Sequence, residues 1–194
     1  QDAYESKREE IITATVIKVD PINGNVILDT GTGSAAVLRK SEQIPGEAFF
    51  VDDKIKVFIT EVNKEARGPR VTLSRIHPGL VRRMFELEVP EIADGVVMVK
   101  GVCREAGSRT KISVFSRDED VDAVGACIGQ RGARVNAIVE ELAGEKIDIV
   151  KYSEDPAAFI TEALSPAKVL SVTIESEDPK VCRVTVPDSQ LSLA

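Results

Sequence analysis

The sequence predicts an α+β protein of several domains: a five-stranded β-barrel, a domain of αββααβ order, and an αββ repeat of that domain's first half. Three observations support this prediction. Residues 11–76 contain five short stretches of strand pattern separated by turn signals. Residues 121–150 change from a helical spacing of apolar residues to strict alternation. The pattern that begins at residue 77 then restarts near Asp155.

The first region, residues 11–76, predicts a small barrel. Asn23-Gly24 is a strong hairpin signal, and Gly68-Pro69 predicts a second turn. The predicted strands are residues 11–19, 26–28, 35–38, 55–62 and 70–74. Five short strands in so short a region are typical of an OB-type barrel, which binds single strands by stacking bases on exposed aromatic side chains.

Such an aromatic platform is absent from the second and third predicted strands. We expect them to present aliphatic side chains instead, namely Val26, Leu28, Ala36 and Leu38. Arg39 and Lys40 could guide a phosphate backbone, although a solvated charged loop explains them equally well. The barrel is therefore expected to bind RNA weakly or to act mainly as a spacer.

Composition limits the classes of protein that fit. The net charge of −7 argues against a protein that coats nucleic acid indiscriminately, but not against a local basic strip. The three cysteines lack metal-ligand spacing, which indicates reduced thiols and a cytoplasmic protein. We predict no metal, no cofactor and no membrane segment.

Residues 1–10 are expected to be a linker or the end of an upstream helix, and the start at Gln1 suggests an excised piece of a longer chain.

The second region, residues 77–152, begins with a helix. Pro78 suits the first helical turn, and the helix is expected to end before Pro90. His77, the only histidine, is interpreted as a helix-entry residue rather than a catalytic base. A hairpin of residues 96–104 and 111–116 follows, and Asp118 and Asp120 are candidate caps for the next helix.

Two helices then flank the tetrapeptide Gly129-Gln130-Arg131-Gly132. Helical spacing relates Val121, Val124, Gly125 and Ile128 before it, and Val135, Ile138, Val139 and Leu142 after it. The terminal glycines let another backbone approach closely, and the N-terminus of the second helix attracts anions. Phosphate is the usual anion at such a place, and Arg131 and Arg134 add positive charge.

Several types of phosphate loop can be compared with this tetrapeptide. A P-loop requires Lys followed by Ser or Thr after the last glycine, where this chain has Ala133-Arg134. A dinucleotide fingerprint requires glycine at position 127, where this chain has Cys127. The GXXG loop of a KH domain, which clamps about four nucleotides, does fit. On the tetrapeptide alone, a plain linker between two helices remains the simpler interpretation.

The residues around the loop favour the KH interpretation. The stretch GACIGQRGARVNAIVEELAGEKIDIV resembles the first KH domain of the NusA family of bacterial transcription elongation and termination factors. HPG at 77–79, FELEVPEI at 85–92 and REAGSRTKI at 104–112 resemble earlier segments of that domain. The resemblance runs in order from about residue 11 to the end. It implies a type II KH domain, preceded by a barrel similar to the S-one RNA-binding domain.

The resemblance also implies an RNA site. Gly129 and Gly132 would let phosphates approach, beside Gln130, while Arg131 and Arg134 would neutralise them. Bases would lie in an apolar groove formed by Ile128, Ile147 and Ile149. A basic strip on the hairpin, with Lys111 as its candidate RNA contact, adds to this site; the strip comprises Lys100, Arg104, Arg109, Lys111 and Arg117.

The third region, residues 153–194, repeats the start of the second. Asp155-Pro156-Ala157 echoes His77-Pro78-Gly79 as a helix start, and a hairpin follows. The second half of a KH domain, with its own GXXG loop, does not follow in this sequence. Such a half-domain is expected to expose apolar sheet surface, and either to be mobile or to pack on the first copy.

A non-enzymatic RNA-binding protein is the function that the sequence favours. One histidine, no metal cluster and no nucleotide loop leave little for catalysis. The resemblance implies the nascent transcript as ligand, RNA polymerase and other antitermination factors as partners, and roles in pausing, termination and antitermination. The polymerase-binding N-terminal domain of that family has no counterpart here. The alternatives are an archaeal-type exosome cap subunit and a protein-interaction scaffold with weak RNA affinity.

Overall fold

The computed structural model describes residues 9–33, 35–65 and 68–194. The upstream helix end predicted within residues 1–10 therefore lies almost wholly outside the described residues. In the part of the chain that is described, no helix is both long enough and apolar enough to cross a membrane.

Five antiparallel strands form the first unit. They are β1 (Ile11–Val19), β2 (Val26–Asp29), β3 (Ala35–Leu38), β4 (Lys54–Glu65) and β5 (Gly68–Ser74). Their order in the sheet is β3-β2-β1-β4-β5, and β3 also contacts β5, so the sheet curls into a nearly closed barrel. Its centre is filled by aliphatic side chains, including Val16, Leu28, Leu38, Val57, Ile59 and Leu73. The predicted OB-type barrel is confirmed.

One predicted turn of the barrel is wrong. Gly68 and Pro69 are not a turn but the first residues of β5, where they pair with Glu65 and Lys64 of β4. Proline at the start of a strand loses only a terminal hydrogen bond, so a sheet tolerates it there.

The second unit contains a three-stranded sheet covered on one face by helices. Its elements are α1 (Pro78–Glu88), α2 (Pro90–Ala93), β6 (Val97–Glu105), β7 (Arg109–Ser116), α3 (Ala123–Ile128), α4 (Ala133–Glu141) and β8 (Lys146–Lys151). The strand order is β6-β7-β8, with β6 antiparallel and β8 parallel to β7. Leu80, Phe85, Ile112, Val114, Ile138 and Leu142 form the core between sheet and helices. The αββααβ order is confirmed, with one short additional helix, α2.

The helix starts of this unit follow local capping. His77 caps α1, because its Nδ1 accepts a hydrogen bond from the Gly79 N–H at 2.9 Å, as expected for a helix-entry residue. The predicted caps Asp118 and Asp120 of α3 are wrong. Asp122 is the cap, since its Oδ1 accepts from the Val124 N–H at 3.1 Å. The helix begins at Ala123, later than the apolar spacing from Val121 indicated, because Asp122 has an extended backbone and caps the helix there.

Barrel and second unit share a core. Phe58 of β4 is buried among α1 side chains, and its ring stacks on His77 with the centroids 4.6 Å apart. A Cβ at Gly79 would lie only 2.5 Å from Phe58 Cζ, so glycine allows the helix to approach this closely. Ile44 of the barrel joins the same core. The two units are thus packed as one body rather than strung on a flexible linker.

The third unit is a helix and a hairpin: α5 (Pro156–Ala163), β9 (Ser171–Glu177) and β10 (Lys180–Thr185). Asp155 caps α5 through the Ala157 N–H, at 3.2 Å. Large apolar side chains stay exposed here, including Leu170, Ile174, Val181 and Leu191. The predicted exposure of apolar sheet surface is confirmed, and α5 packs against β8 of the second unit.

Candidate nucleic-acid interface

The glycine-bracketed loop joins α3 to α4 in left-handed backbone. Gly129 has φ 75° and ψ 174°, a combination that is essentially restricted to glycine. Gly132 has φ 77° and ψ 12°, and Arg131 between them has φ 53° and ψ 28°. Positive φ angles at three of the four loop residues turn the chain abruptly, so that α4 starts directly behind the loop.

The two glycines are required for different reasons. A Cβ at Gly129 would lie 2.7 Å from Arg134 Cγ and 3.0 Å from the Arg134 backbone nitrogen, which cannot move without displacing α4. A Cβ at Gly132 would meet only the flexible amide end of Asn136, at 3.1 Å. Gly129 is therefore fixed by both conformation and space, whereas Gly132 is fixed mainly by its backbone conformation.

The two arginines of the predicted site differ in what they already bind. Arg131 is exposed and, among the described residues, makes neither a hydrogen bond nor an ion pair. Arg134 donates from Nη1 to Glu91 Oε2 at 2.8 Å and to the Ala126 carbonyl at 2.6 Å. It therefore ties α4 to α2 and α3. Its charge is partly neutralised, whereas Arg131 is free to meet an anion; Gln130 beside it is exposed as well.

An apolar groove opens beside the loop. Its volume is about 310 Å³, and it is lined by Ile128, Val135, Ile147, Asp148, Ile149, Val150, Ser165 and Pro166. The structure brings together the three predicted apolar residues Ile128, Ile147 and Ile149. Val135 was missed as a groove residue, although it begins the apolar spacing of the helix that follows the loop. Ser165 and Pro166 come from the third unit, and nothing in local sequence indicated them.

The groove is suited to flat, weakly polar groups at the edge of a charged loop. Ile147 and Ile149 are only half-buried, and Ile128 is 38% exposed. Asp148 brings the one acidic group among the lining residues. Arg109 Nε lies 3.0 Å from Asp148 Oδ2, an ion pair without the alignment of a hydrogen bond, and offsets its charge. The site thus combines the exposed cation Arg131, the accessible backbone of the two loop glycines and the apolar groove.

The basic strip predicted on the hairpin does not form a free cationic surface. Arg104 has an exposed fraction of 0% at its side chain, and its Nε and Nη2 each donate to Glu145 at 2.9 Å. Lys100 lies over the rings of Phe115 and Tyr152, at 5.5 and 5.1 Å from their centroids. The sequence interpretation of Arg104 as part of a basic strip that adds to the RNA site is wrong, because Glu145, distant in sequence, pairs with it.

The remaining strip residues are also engaged. Arg117 Nε donates to Met98 Sδ at 3.0 Å, and Arg109 pairs with Asp148 as described. Lys111 Nζ donates to the Ala163 and Ser165 carbonyls of the third unit. The structure thus places Lys111 near the groove, but with its ammonium directed at protein carbonyls.

Glu145 and Cys127 are the buried titratable groups of the second unit whose pKa is shifted. Burial alone would raise the pKa of Glu145, but hydrogen bonds from Arg104, Thr110 and the Gly107 N–H outweigh it and hold that pKa below its ordinary value. Burial, with a smaller contribution from the Glu91 charge, raises the pKa of the Cys127 thiol to about 12. Cys127 is fully buried in the core, so it is a packing residue rather than part of the loop.

The barrel offers a different surface from the one expected. Val26, Leu28, Ala36 and Leu38 are buried in the barrel core rather than forming its outer face. The outer positions of β2 and β3 include Ile27 and Val37 instead, because side chains alternate between faces along a strand. Arg39 and Lys40 are exposed, and the stem of Lys40 passes 3.1 Å from the Cβ position of Gly24. The outer face of these two strands carries no aromatic side chain.

Comparison with known domain families gives two matches, and residues from both of them line the groove. Residues 75–152 match the model of a NusA-like first KH domain, and residues 156–194 match that of a NusA-like second KH domain. The glycine-bracketed loop, the sheet and α3 and α4 all fall in the first match. The wall formed by Ser165 and Pro166 falls in the second.

Individual relatives agree with this assignment. The chain is 51% identical over 188 residues to a transcription termination/antitermination protein NusA from Halalkalibacterium halodurans, covering 97% of this chain and 48% of that protein. It is 51% identical over 189 residues to NusA of Bacillus subtilis, covering 97% of this chain and 50% of the relative. For NusA of Thermus thermophilus the identity is 44% over 191 residues, with 98% and 49% covered.

The chain spans about half the length of these relatives. Their shared name does not support the alternative of an exosome cap subunit. Two adjacent NusA-like KH matches, and NusA relatives aligned over nearly all of the sequence, show that this chain belongs to the NusA family.

Proposed function

We propose that this chain is the RNA-binding part of a bacterial transcription termination and antitermination factor, and that it clamps single-stranded RNA at the loop of residues 129–132. The observation that supports this most is the position of the loop: a free arginine between two left-handed glycines stands at the mouth of an apolar groove. KH domains hold single strands with this combination of backbone access and groove.

The residues of the loop and of the groove would have different roles in RNA binding. Gly129 and Gly132 leave room for the sugar-phosphate backbone, and Arg131 neutralises a phosphate. Gln130, also exposed, can donate from its amide to a phosphate or base. Ile128, Ile147 and Ile149 would contact base faces in the groove. Arg134 contributes charge, but its bonds to Glu91 and Ala126 make it mainly a brace that holds α4 in place.

We further propose a division into domains. Residues 11–76 are the barrel, residues 77–152 the first KH domain, and residues 153–194 the first part of a second KH domain. The barrel lacks an aromatic platform on β2 and β3, which supports weak RNA contact through Arg39 and Lys40 and a spacing role. The proposed biological ligand is the nascent transcript in the bacterial cytoplasm. RNA polymerase and other antitermination factors would be reached mainly through parts of the protein beyond this chain, which we propose acts by binding rather than by catalysis.

The test is the affinity for a short single-stranded RNA across a salt series, with the wild type beside Gly129→Asp/Gly132→Asp. The matched control is Gly46→Asp/Gly95→Asp, which adds the same charge at two left-handed glycines with open space around them. If the loop is the clamp, the first pair loses most of the affinity and the control keeps it, while both stay folded by circular dichroism. For the wild type, the slope of the logarithm of the binding constant against the logarithm of the salt concentration should be about −0.7 for each phosphate neutralised.

Two results would contradict the clamp. Equal binding by the wild type and by Gly129→Asp/Gly132→Asp would assign RNA to the barrel or the hairpin. No binding by any of the proteins would leave this part of the chain with a structural role only.

A further inference from the structure

Lys111 lies on the face of the sheet that is turned away from the core helices. It pairs with Cys103 on β6 and with Asp148 on β8, while its neighbour Ile112 points into the core. Its ammonium group does not extend into solvent. Nζ donates to the carbonyl of Ala163 and, at 3.0 Å, to the carbonyl of Ser165. Both acceptors belong to the third unit.

These carbonyls lie at the C-terminal end of α5. The last carbonyls of a helix have no partner within the helix, and the end carries a partial negative charge. An ammonium group placed there satisfies the carbonyls and interacts favourably with that charge. Lys111 therefore joins the sheet of the first KH domain to the helix of the second by a charge-assisted contact.

A second contact supports the same junction. The ring of Tyr152, just after β8, meets the ring of Phe159 on α5 with the centroids 5.2 Å apart. Lys100 lies over the other side of this junction, 5.1 Å from the Tyr152 centroid. Lys111 and the Tyr152–Phe159 ring pair thus hold the third unit against the sheet at two separate places.

The junction matters for the groove because Ser165, whose carbonyl Lys111 binds, also lines it together with Pro166. The opposite lining residues, Ile128 and Val135, belong to the first KH domain. The width of the groove therefore depends on where the third unit sits relative to β8. A contact that fixes α5 also fixes this wall.

We propose that Lys111 is a positioning residue: it fastens α5 to the sheet and sets the Ser165–Pro166 wall of the RNA groove, rather than binding RNA itself. The fastening stands on the contacts alone, whereas its effect on RNA rests on the proposed function. This role differs from the RNA contact that the sequence predicts for Lys111, and the following measurements distinguish the two.

The test compares Lys111→Met, which keeps most of the aliphatic stem and removes the ammonium group, with Lys54→Met, an equal loss of charge at an exposed barrel position. Backbone ¹⁵N relaxation reports the rotational correlation time of each unit. We expect one common value in the wild type and in Lys54→Met, and faster tumbling of residues 156–185 in Lys111→Met. Lys111→Arg should restore the common value, because it can still donate to the carbonyls.

RNA titrations complete the test. We expect Lys111→Met to bind roughly three- to tenfold more weakly, because an ordered wall must now be formed on binding, with a salt slope equal to that of the wild type. A slope reduced by about 0.7 with unchanged tumbling would make Lys111 a phosphate contact and overturn the proposal. Unchanged tumbling with unchanged affinity would overturn it too. If the wild type binds no RNA, the proposed function fails, and the relaxation data still decide whether Lys111 fastens the units.

Discussion

Arg75 reaches Glu141 across the junction of barrel and first KH domain: its Nη2 donates to the Glu141 carbonyl at 2.7 Å and its Nη1 to the Glu141 carboxylate at 3.3 Å. The same guanidinium forms a bidentate pair with Glu47 of the barrel and donates to the Lys56 carbonyl at 2.6 Å. Arg75 is only 1% exposed. One buried side chain thus connects the barrel to α4 of the first KH domain.

Arg75→Met should therefore be strongly destabilising. It leaves Glu47 and Glu141 without their buried partner, and breaking a buried pair by removing one member costs about 3–5 kcal/mol. Urea unfolding followed by circular dichroism gives the free energy of unfolding, with Arg39→Met, an exposed barrel arginine, as the control. A loss below about 1 kcal/mol in Arg75→Met would show that water replaces the guanidinium and that the junction does not depend on it.

Replacing the two loop glycines with alanine should lower the free energy of unfolding by different amounts. Gly132→Ala places a Cβ on a left-handed residue beside a flexible amide, for a cost of about 1–2 kcal/mol. Gly129→Ala should cost more, because its Cβ also meets the backbone nitrogen of Arg134 at 3.0 Å. Free energies of unfolding from denaturant titration decide the order. Equal costs would contradict this order and would mean that the start of α4 yields easily to a Cβ at Gly129.

Replacing Arg131 and Arg134 should have different effects, the first on the salt dependence of RNA binding and the second on stability. Arg131→Met should reduce the magnitude of the salt slope of RNA binding by about 0.7 and leave stability unchanged, because it removes a free exposed cation. Arg134→Met should lower the free energy of unfolding by about 1–2 kcal/mol, since it removes a charge-assisted bond to the Ala126 carbonyl and the pair with Glu91. Salt titrations and urea unfolding on both variants test this division. An unchanged slope in Arg131→Met would remove Arg131 from the RNA site.

Local signals predicted the elements of this fold well, since strand alternation, the spacing around residues 129–132 and the role of His77 all depend on near neighbours. What local signals could not show was which charges meet. Arg104 and Glu145 are far apart in sequence, as are Arg75 and Glu141, yet each pair is brought together by packing between elements. Arg104, counted toward the basic strip from the sequence, is therefore the buried half of an ion pair. The wall formed by Ser165 and Pro166 was missed for the same reason, because it depends on how two units dock.

The pair of Glu145 with Arg104 should make stability depend on pH in the acid range. The pKa of Glu145 in the folded protein lies below its ordinary value, which is about 4.3 in an unfolded chain. In the window between these two values the unfolded chain binds more protons, so stability falls as the pH falls. The contribution of the pair is present in full above that window and is lost as the pH drops through the folded pKa.

Glu145→Gln isolates this contribution. At pH 7 the variant should be less stable by about 3 kcal/mol, because the Arg104 guanidinium stays buried without its carboxylate. Below the ordinary glutamate pKa of about 4.3 the difference from the wild type should shrink, since the unfolded wild-type chain then gains a proton at Glu145 that the glutamine variant cannot bind. Urea unfolding at several pH values between 3 and 7 measures the difference, with Glu154→Gln, an exposed glutamate in the linker before α5, as the control. A difference that stays constant over this range would show that the folded and unfolded chains bind the Glu145 proton equally, and that the pair with Arg104 does not lower the pKa of Glu145.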